Sequence, residues 1–390
     1  MKKCVLGEFA DLIPGVSYTP DGIASYGVRI LRGGNIRSSE LQLKEDDVIL
    51  SEDYQCKDNE VHEGDTIVVA SSGSADAFGK AATSWVDLPG VQIGAFLRIV
   101  RPKKREYAAL VSAWVTQPIF QRYIGSVAKG TGINNIRKEY IEEYPISVDD
   151  SSLKQFSELY ESICKKIALN RKRIATLGAM AKEIYDYWFV QFDFPDAHGR
   201  PYKSSGGAMV YNPDLKREIP KGWEVVPLGE LISVCNGKDH KALLVGDIPV
   251  YGSGGIMRRV DQMLYEGESV LIPRKGTLNN IMYVNGPLWC IDTMFYTKPK
   301  VDNVMKYIFM TIKDWDFASM DTGSAVPSMT AGIINKLSVA RPTDMFLEKF
   351  ENQMRPLFVG MSLFEREIAK LTSLRGFLLP VLMNGQVKVG

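Results

Sequence analysis

Apolar side chains recur along residues 153–188 at spacings that alternate between three and four positions. This first series comprises Leu153, Phe156, Tyr160, Ile163, Ile167, Ile174, Leu177, Ala181, Ile184 and Trp188, with Asn170 at its one polar position. A second series with the same spacing comprises Leu347, Phe350, Met354, Leu357, Met361, Phe364, Ile368, Leu371, Leu378 and Leu382, with Arg375 at its polar position. Two heptad seams of this length predict two long helices that form a coiled coil.

Two positions in the predicted helices leave alternatives open. Asn170 either fixes the register of the pair, at some cost in stability, or marks an exposed stagger at a poorly packed layer. Pro356 removes a helical hydrogen bond, so the second helix either begins near it or bends there. At about 1.5 Å per residue, the first helix would be about 54 Å long.

The rest of the chain repeats itself once. LGEF at 6–9 recurs as LGEL at 228–231, and HEGDTIVVASSG at 62–73 recurs as YEGESVLIPRKG at 265–276. Residues 153–180 align without gaps with residues 347–374. The repeat predicts an α+β fold in which two small mixed α/β domains of short strands alternate with the two long helices in a pseudo-twofold arrangement. The N-terminus is then expected near the far end of the second helix.

The segment between the repeats is rich in proline, glycine and aromatic residues, which favours a structured connector over a disordered one. Its sequence WFVQFDFPDAHGRPYKSSGG, followed by IPKGWEVVPLGEL, resembles the central region of type I restriction–modification specificity subunits. The resemblance extends over the whole chain. It implies a subunit without catalytic activity, in which each of two target-recognition domains reads one half of a split site in double-stranded DNA.

The same resemblance implies that the helices pair antiparallel and set the gap between the half-sites. It also implies partners, namely two modification subunits that carry adenine methyltransferase activity, which nuclease/translocase subunits can join. The predicted boundaries are 1–150 for the first target-recognition domain, 151–190 for the first long helix, 191–223 for the linker, 224–344 for the second target-recognition domain and 345–390 for the second long helix.

Composition narrows the functional classes. The formal net charge is +1, so DNA contacts must be local or shared with partner subunits. Five widely spaced cysteines predict reduced thiols in a cytoplasm. No apolar run approaches the length of a membrane span, and the N-terminus lacks the apolar region of a signal peptide.

Catalytic motifs are incomplete in this sequence. GSADAFGKA at 73–81 has one residue too many between its glycines for a phosphate-binding loop and ends in alanine where serine or threonine would hold magnesium. Asn212-Pro213-Asp214-Leu215 lacks the second proline and the aromatic residue of an adenine methyltransferase loop. The histidines and cysteines do not form a four-ligand zinc pattern. We therefore predict no catalytic residue, no metal and no cofactor.

Polar glycine-rich loops at equivalent places in the two repeats supply the candidates for DNA contact. Arg and Lys suit guanine edges, Asn suits adenine, and Ser, Thr and Lys suit phosphates. The candidates are Arg32, Asn35, Arg37, Ser74, Lys80, Lys129, Thr131 and Asn134 in the first domain, and Ser253, Arg258, Arg274, Lys275, Thr277 and Ser324 in the second.

Two other classes of function remain as alternatives. In the first, the chain is a scaffold whose two globular heads bind proteins and have no DNA specificity. In the second, it is a nuclease or methyltransferase that acts alone. Binding to randomised DNA separates the first from DNA recognition, and turnover with magnesium and a methyl donor would establish the second.

Overall fold

The computed structural model describes residues 2–37, 39–73, 77–128, 136–148, 153–320 and 328–383. The chain divides into two compact units. The first comprises residues 1–172 and 364–390, and the second comprises residues 173–363. The boundary passes through both long helices, so each unit contains a segment of each.

Short strands and helices build the first unit, and its residues 2–148 are called the first head below. Its strands are β1 (Lys2–Val5), β2 (Ala10–Pro14), β3 (Ile23–Leu31), β4 (Ile36–Arg37), β5 (Glu40–Leu41), β6 (Val48–Leu50), β7 (Glu60–Val61), β8 (Thr66–Val69), β9 (Ala81–Thr83), β10 (Leu88–Ile93), β11 (Leu97–Pro102) and β12 (Pro145–Val148). Its helices are α1 (Ala108–Val115), α2 (Pro118–Val127), α3 (Lys138–Glu142) and the start of the long helix α4 (Leu153–Tyr185). Two four-stranded sheets, β2-β11-β8-β9 and β6-β3-β10-β7, form its body.

The second unit begins within α4, and its residues 224–341 are called the second head. The strands of the second unit are β13 (Met209–Asn212), β14 (Arg217–Pro220), β15 (Glu224–Pro227), β16 (Ile232–Asn236), β17 (Ile248–Gly252), β18 (Gly255–Val260), β19 (Tyr265–Pro273), β20 (Met282–Cys290), β21 (Met294–Pro299) and β22 (Ser338–Arg341). Its helices are α5 (Leu228–Leu231), α6 (Met305–Ile312), α7 (Ala331–Lys336) and the start of the long helix α8 (Asp344–Met383). One sheet of order β16-β21-β19-β20-β17-β18 carries this head.

The two heads share one topology, which confirms the internal repeat. The strand order β2-β11-β8-β9 recurs as β16-β21-β19-β20, and the antiparallel pair β1-β12 recurs as β15-β22. At the first LGE motif the Leu6 amide donates to the Tyr144 carbonyl at 3.0 Å, and at the second the Leu228 amide donates to the Leu337 carbonyl at 2.8 Å. The repeated β-branched runs are β8 and part of β19. They are buried on both faces, which explains why they read as continuous apolar stretches.

Both predicted long helices are present. Along α4 and α8 the predicted seam residues whose side chains are described are buried or half-buried, and most of the positions between them are exposed. Helix α8 runs unbroken through Pro356, so the alternative in which it begins near that proline is wrong. It starts twelve residues earlier, because the seam residues Leu347, Phe350 and Met354 are fully buried and hold that part of the helix against the second head.

The helices run antiparallel within each unit. In the first, the Asn170 side-chain amide donates to the Glu367 carboxylate at 2.6 Å. Cys164, which precedes Asn170 on α4, lies beside Arg375, which follows Glu367 on α8. In the second, the Leu177 Cδ1 atom lies 3.0 Å from the position that a Cβ on Gly360 would take. Just beyond the end of α4, the Trp188 ring lies 5.8 Å from the ring of Phe350.

The connector packs its aromatic side chains into the core of the second unit. Phe194 lies 4.5 Å from the ring of Phe346 and stacks on Trp223 at 5.6 Å. In the first unit, Leu378 near the end of α8 packs against a core cluster that includes Cys4 and Leu6. The end of α8 and the N-terminal strand thus pack on the same core cluster, and a direct contact between them stays a prediction.

Candidate nucleic-acid interface

Two of the predicted loops, at residues 251–259 and 273–280, meet at one edge of the second head. Asn280 donates its side-chain amide to the Ser253 carbonyl at 2.7 Å, which joins loop 251–259 to loop 273–280. The Met329 amide donates to the Arg274 carbonyl at 3.0 Å at the same edge, and the predicted loop at 321–328 lies almost wholly outside the described residues. Gly276 permits the close approach of loop 273–280 to Ser253, because its φ is +85° and a Cβ there would lie 2.6 Å from the Ser253 hydroxyl.

Two residues that the sequence analysis did not select complete this edge. The Thr293 carbonyl accepts from the Arg274 amide at 2.9 Å and from the Lys275 amide at 3.3 Å. Lys238 is exposed, and its amide donates to the Cys290 carbonyl at 2.9 Å. The only sequence signal for Lys238 is its position in a polar turn, NGKDHK, which has no counterpart among the repeated motifs.

The cations of this edge differ in how they are held. Arg274 and Lys275 are exposed, and neither forms an ion pair with any residue of the described part of the chain. Arg258 is half-buried, and its guanidinium donates to the Leu243 carbonyl at 2.7 Å. The exposed Asp292 adds a carboxylate, so the edge offers hydrogen-bond acceptors as well as cations.

The first head has the corresponding edge. The Phe96 carbonyl accepts from the Ala70 amide at 2.8 Å and from the Ser71 amide at 3.0 Å, as Thr293 does for its loop in the second head. The amide of Ile136, which follows the predicted loop at 128–135 in sequence, donates to the Ala70 carbonyl at 2.8 Å. Phe96 is 69% exposed, an aromatic side chain that the sequence analysis did not select.

Asn35 has a structural environment in the first head. Its side-chain carbonyl accepts from the Arg32 backbone amide at 2.7 Å. Its side-chain amide donates to the Gln42 carbonyl at 2.9 Å and to the Asp47 carboxylate at 2.6 Å. Burial acts to raise the pKa of Asp47, but hydrogen bonds from Asn35, the Lys44 amide and Arg29 outweigh it and hold that pKa below its ordinary value. Since Asn35 is only 2% exposed and all of its polar groups are used, this arrangement argues against the predicted base contact.

The remaining candidates divide into exposed residues and residues outside the described part. Arg32, Arg37, Lys80 and Thr277 are exposed, and Ser253 is half-buried, so their contact with DNA stays a prediction. Five further candidates lie outside the described residues, namely Ser74, Lys129, Thr131, Asn134 and Ser324.

These edges are suited to binding a polyanion. Their described residues include exposed cations, hydroxyls and backbone turns, and burial raises the pKa of the neighbouring Cys290 thiol to about 12, which disfavours the reactive thiolate. Within the described ranges, no group of three His, Cys, Asp or Glu side chains is placed to hold a metal ion. The described helices, α4 and α8 included, contain no stretch that is long and apolar enough to cross a membrane.

Comparison with known proteins agrees with the residues that suggested the family. A family model described as the type I restriction modification DNA specificity domain matches residues 220–344. The type I restriction enzyme MjaIX specificity subunit of Methanocaldococcus jannaschii is 21% identical over 311 residues, which cover 68% of this chain and 66% of that relative. The alignment thus spans just under two thirds of the length of that relative.

A solved structure shares the fold. The type I restriction–modification S subunit from M. genitalium superposes with a TM-score of 0.60 and 16% identity, over 97% of this chain and 94% of that one. The relative found by sequence is a specificity subunit by name, and the matching family model describes a DNA specificity domain. This chain, with its repeated heads and two long helices, is thus similar in sequence and fold to the specificity subunits of type I restriction–modification systems.

Proposed function

We propose that the chain recognises a bipartite site in double-stranded DNA, with one half-site read by each head. The observation that carries this proposal is the repeated edge, at which two loops converge in the second head and at which Phe96 takes the place of Thr293 in the first. The proposed target-recognition domains are residues 1–150 and 224–344. The proposed long helices are residues 151–190 and 345–390, and residues 191–223 form the linker.

Selection from randomised duplex DNA with the purified full chain tests this proposal. We expect enrichment of two short motifs at one constant separation. Substitution of Lys275 by Ala should weaken binding of selected DNA and lower the salt dependence of the affinity if the ammonium contacts a phosphate. Enrichment of no motif would overturn the proposal and favour the scaffold, and turnover by the chain alone would favour an enzyme.

We further propose that the two helices set the separation between the half-sites. Helix α4 has 33 residues, so it spans about 50 Å, which corresponds to about 15 base pairs of duplex DNA. Insertion of one heptad into each helix should leave both selected motifs unchanged and lengthen the gap between them, because the seam is kept in phase. An unchanged gap would contradict this part of the proposal.

The helices are also the proposed docking sites for two modification subunits, and nuclease/translocase subunits can join that complex. Exposed apolar residues at equivalent positions of the repeat support a stoichiometry of two. Leu169 and Leu363 are 44% and 57% exposed, and Met180 and Leu374 are 44% and 43% exposed.

Native mass spectrometry of complexes with the modification subunit tests this stoichiometry. Leu169→Asp and Leu363→Asp should each leave one bound copy, and the double variant should leave none. Two copies retained by the double variant would exclude these residues as docking sites.

A further inference from the structure

A buried ionic network joins the second head to helix α8. Lys306 on α6 is 2% exposed, and Glu351 on α8 is 3% exposed. The Lys306 ammonium donates to the Glu351 carboxylate at 2.8 Å and to the Glu268 carboxylate of β19 at 2.5 Å. Three elements, namely α6 and β19 of the head and the long helix α8, therefore meet at one ammonium group.

Further groups restrict the geometry of this network. The Tyr283 hydroxyl donates to Glu268 at 2.7 Å, and Arg355, one turn along α8, donates to Glu351 at 3.2 Å. The Lys306 ammonium also lies 5.4 Å from the centre of the Tyr283 ring. The second carboxylate oxygen of Glu351 is buried and has no hydrogen-bond partner among the described residues.

Stability alone does not account for this arrangement. Desolvation of a buried ion pair offsets much of its attraction, and well-packed apolar side chains of similar volume are often at least as stable. An ion pair with fixed hydrogen bonds differs from apolar packing because it is directional and favours one relative orientation of the groups that carry it. At this place it favours one orientation of the second head on α8.

The same combination of charges joins the first head to α4. The head supplies Glu63 and Arg105, and the helix supplies Glu161 and Lys165, spaced four residues apart like Glu351 and Arg355. Lys165 lies 2.6 Å from Glu63, and Arg105 lies 2.9 Å from it. These side chains are between 23% and 48% exposed, so solvent and salt screen the first network more than the second.

We infer that Lys306 is a positioning residue for DNA recognition, which fixes the second head on α8 and thereby the register of the second half-site. The inference rests on the proposed function. In this role, the buried network sets the angle at which the loops of the second head approach DNA. The exposed network of the first head allows that head more freedom as salt concentration rises.

The test uses the full chain and a DNA library that carries both selected motifs at a series of separations. The variant Lys306→Met/Glu351→Met removes both charges together, so neither is left buried without its partner. We expect both motifs to remain enriched. The native separation should be preferred less strongly over separations that are one base pair longer or shorter, and this preference should fall about tenfold. Tenfold corresponds to the loss of about one base-pair contact.

Three controls make the result decisive. Lys298→Met removes a lysine of the same head that lies over the rings of Tyr265 and Tyr296, and it should leave the separation profile unchanged. Circular dichroism establishes that the double variant is folded. If it is not, Tyr283→Phe removes a single hydrogen bond of the network and should broaden the profile partially.

The outcomes are distinct for the two proposals. A folded double variant with the native separation profile overturns the positioning role, and so does an unchanged profile in Tyr283→Phe when the double variant does not fold. If the unsubstituted chain enriches no spaced pair of motifs, the proposed function itself fails.

Discussion

Replacement of Glu367 by alanine should loosen the coiled coil of the first unit more than its surface position suggests. Glu367 is half-buried on α8, and its carboxylate accepts a hydrogen bond from the side-chain amide of Asn170 at 2.6 Å. Asn170 is fully buried in the seam, and its carbonyl oxygen has no partner within the described residues. Loss of Glu367 would therefore leave a second polar group of the buried Asn170 without its partner.

The magnitude follows from these contacts. A buried donor left without an acceptor costs about 2 kcal/mol. The ion pair of Glu367 with Lys166, at 3.5 Å and with both side chains 41% exposed, adds about 0.5 kcal/mol at most. Glu367→Gln keeps an acceptor for Asn170 and should cost less than about 1 kcal/mol. In an Asn170→Ala background, Glu367→Ala should cost only the ion pair, about 0.5 kcal/mol.

Native-state hydrogen exchange of the peptides around residues 166–172 measures the effect locally, which matters in a chain of two units. Glu367→Ala should speed exchange there about thirtyfold, the factor that corresponds to about 2 kcal/mol. Glu158→Ala, an exposed glutamate on α4, should change it by less than about 0.5 kcal/mol. Equal effects of Glu367→Ala with and without Asn170 would refute the reasoning, because the double-mutant cycle would then contain no coupling.

Two further predictions concern the first unit. Burial acts to raise the pKa of Glu161, but the hydrogen bonds from Arg105 and from its lysine neighbour outweigh it, so that pKa lies below its ordinary value of 4.5. The contribution of Glu161 to stability is present above that value and lost as pH falls through the lower one. Glu161→Gln should thus flatten the acid dependence of the unfolding midpoint, and an unchanged slope would count against the network. Gly27 has a φ of +130°, and a Cβ there would lie 2.1 Å from the Leu50 carbonyl oxygen. Gly27→Ala should therefore cost more than about 3 kcal/mol in urea unfolding. Gly222→Ala, at a φ of +93° with open space around it, should cost about 1 kcal/mol, and equal costs would show that the clash is relieved.

Periodicity in the sequence was sufficient to predict the long helices. Seam residues such as Ile163, Ile167 and Met361 are buried or half-buried because they occupy the positions of each seven-residue repeat that face the partner helix. The choice between the two interpretations of Asn170 was beyond the sequence, since a polar seam residue looks the same whether it is exposed or paired. Its burial and its bond to Glu367 exclude the exposed stagger.

The loops were predicted as a set but not residue by residue. Loop composition indicates which side chains can bind DNA, but it does not show which are already used within the protein. The amide of Asn35 is fully occupied by neighbours of the first head, whereas Arg274 and Lys275 are exposed. Phe96 was missed because a lone aromatic residue in a sequence has no pattern that distinguishes a surface position from a core position.

The sequence by itself determined the repeat and the two helices with their seams, because both are encoded in spacing that the chain carries along its length. Its central segment indicated the resemblance to specificity subunits. The tertiary structure alone decided which polar side chains face solvent and which are consumed inside, and it brought Lys306, Glu268 and Glu351 together from three elements. Such contacts join residues far apart in the chain. Their energies depend on burial and on distances of a few ångströms, which residue type and order do not specify.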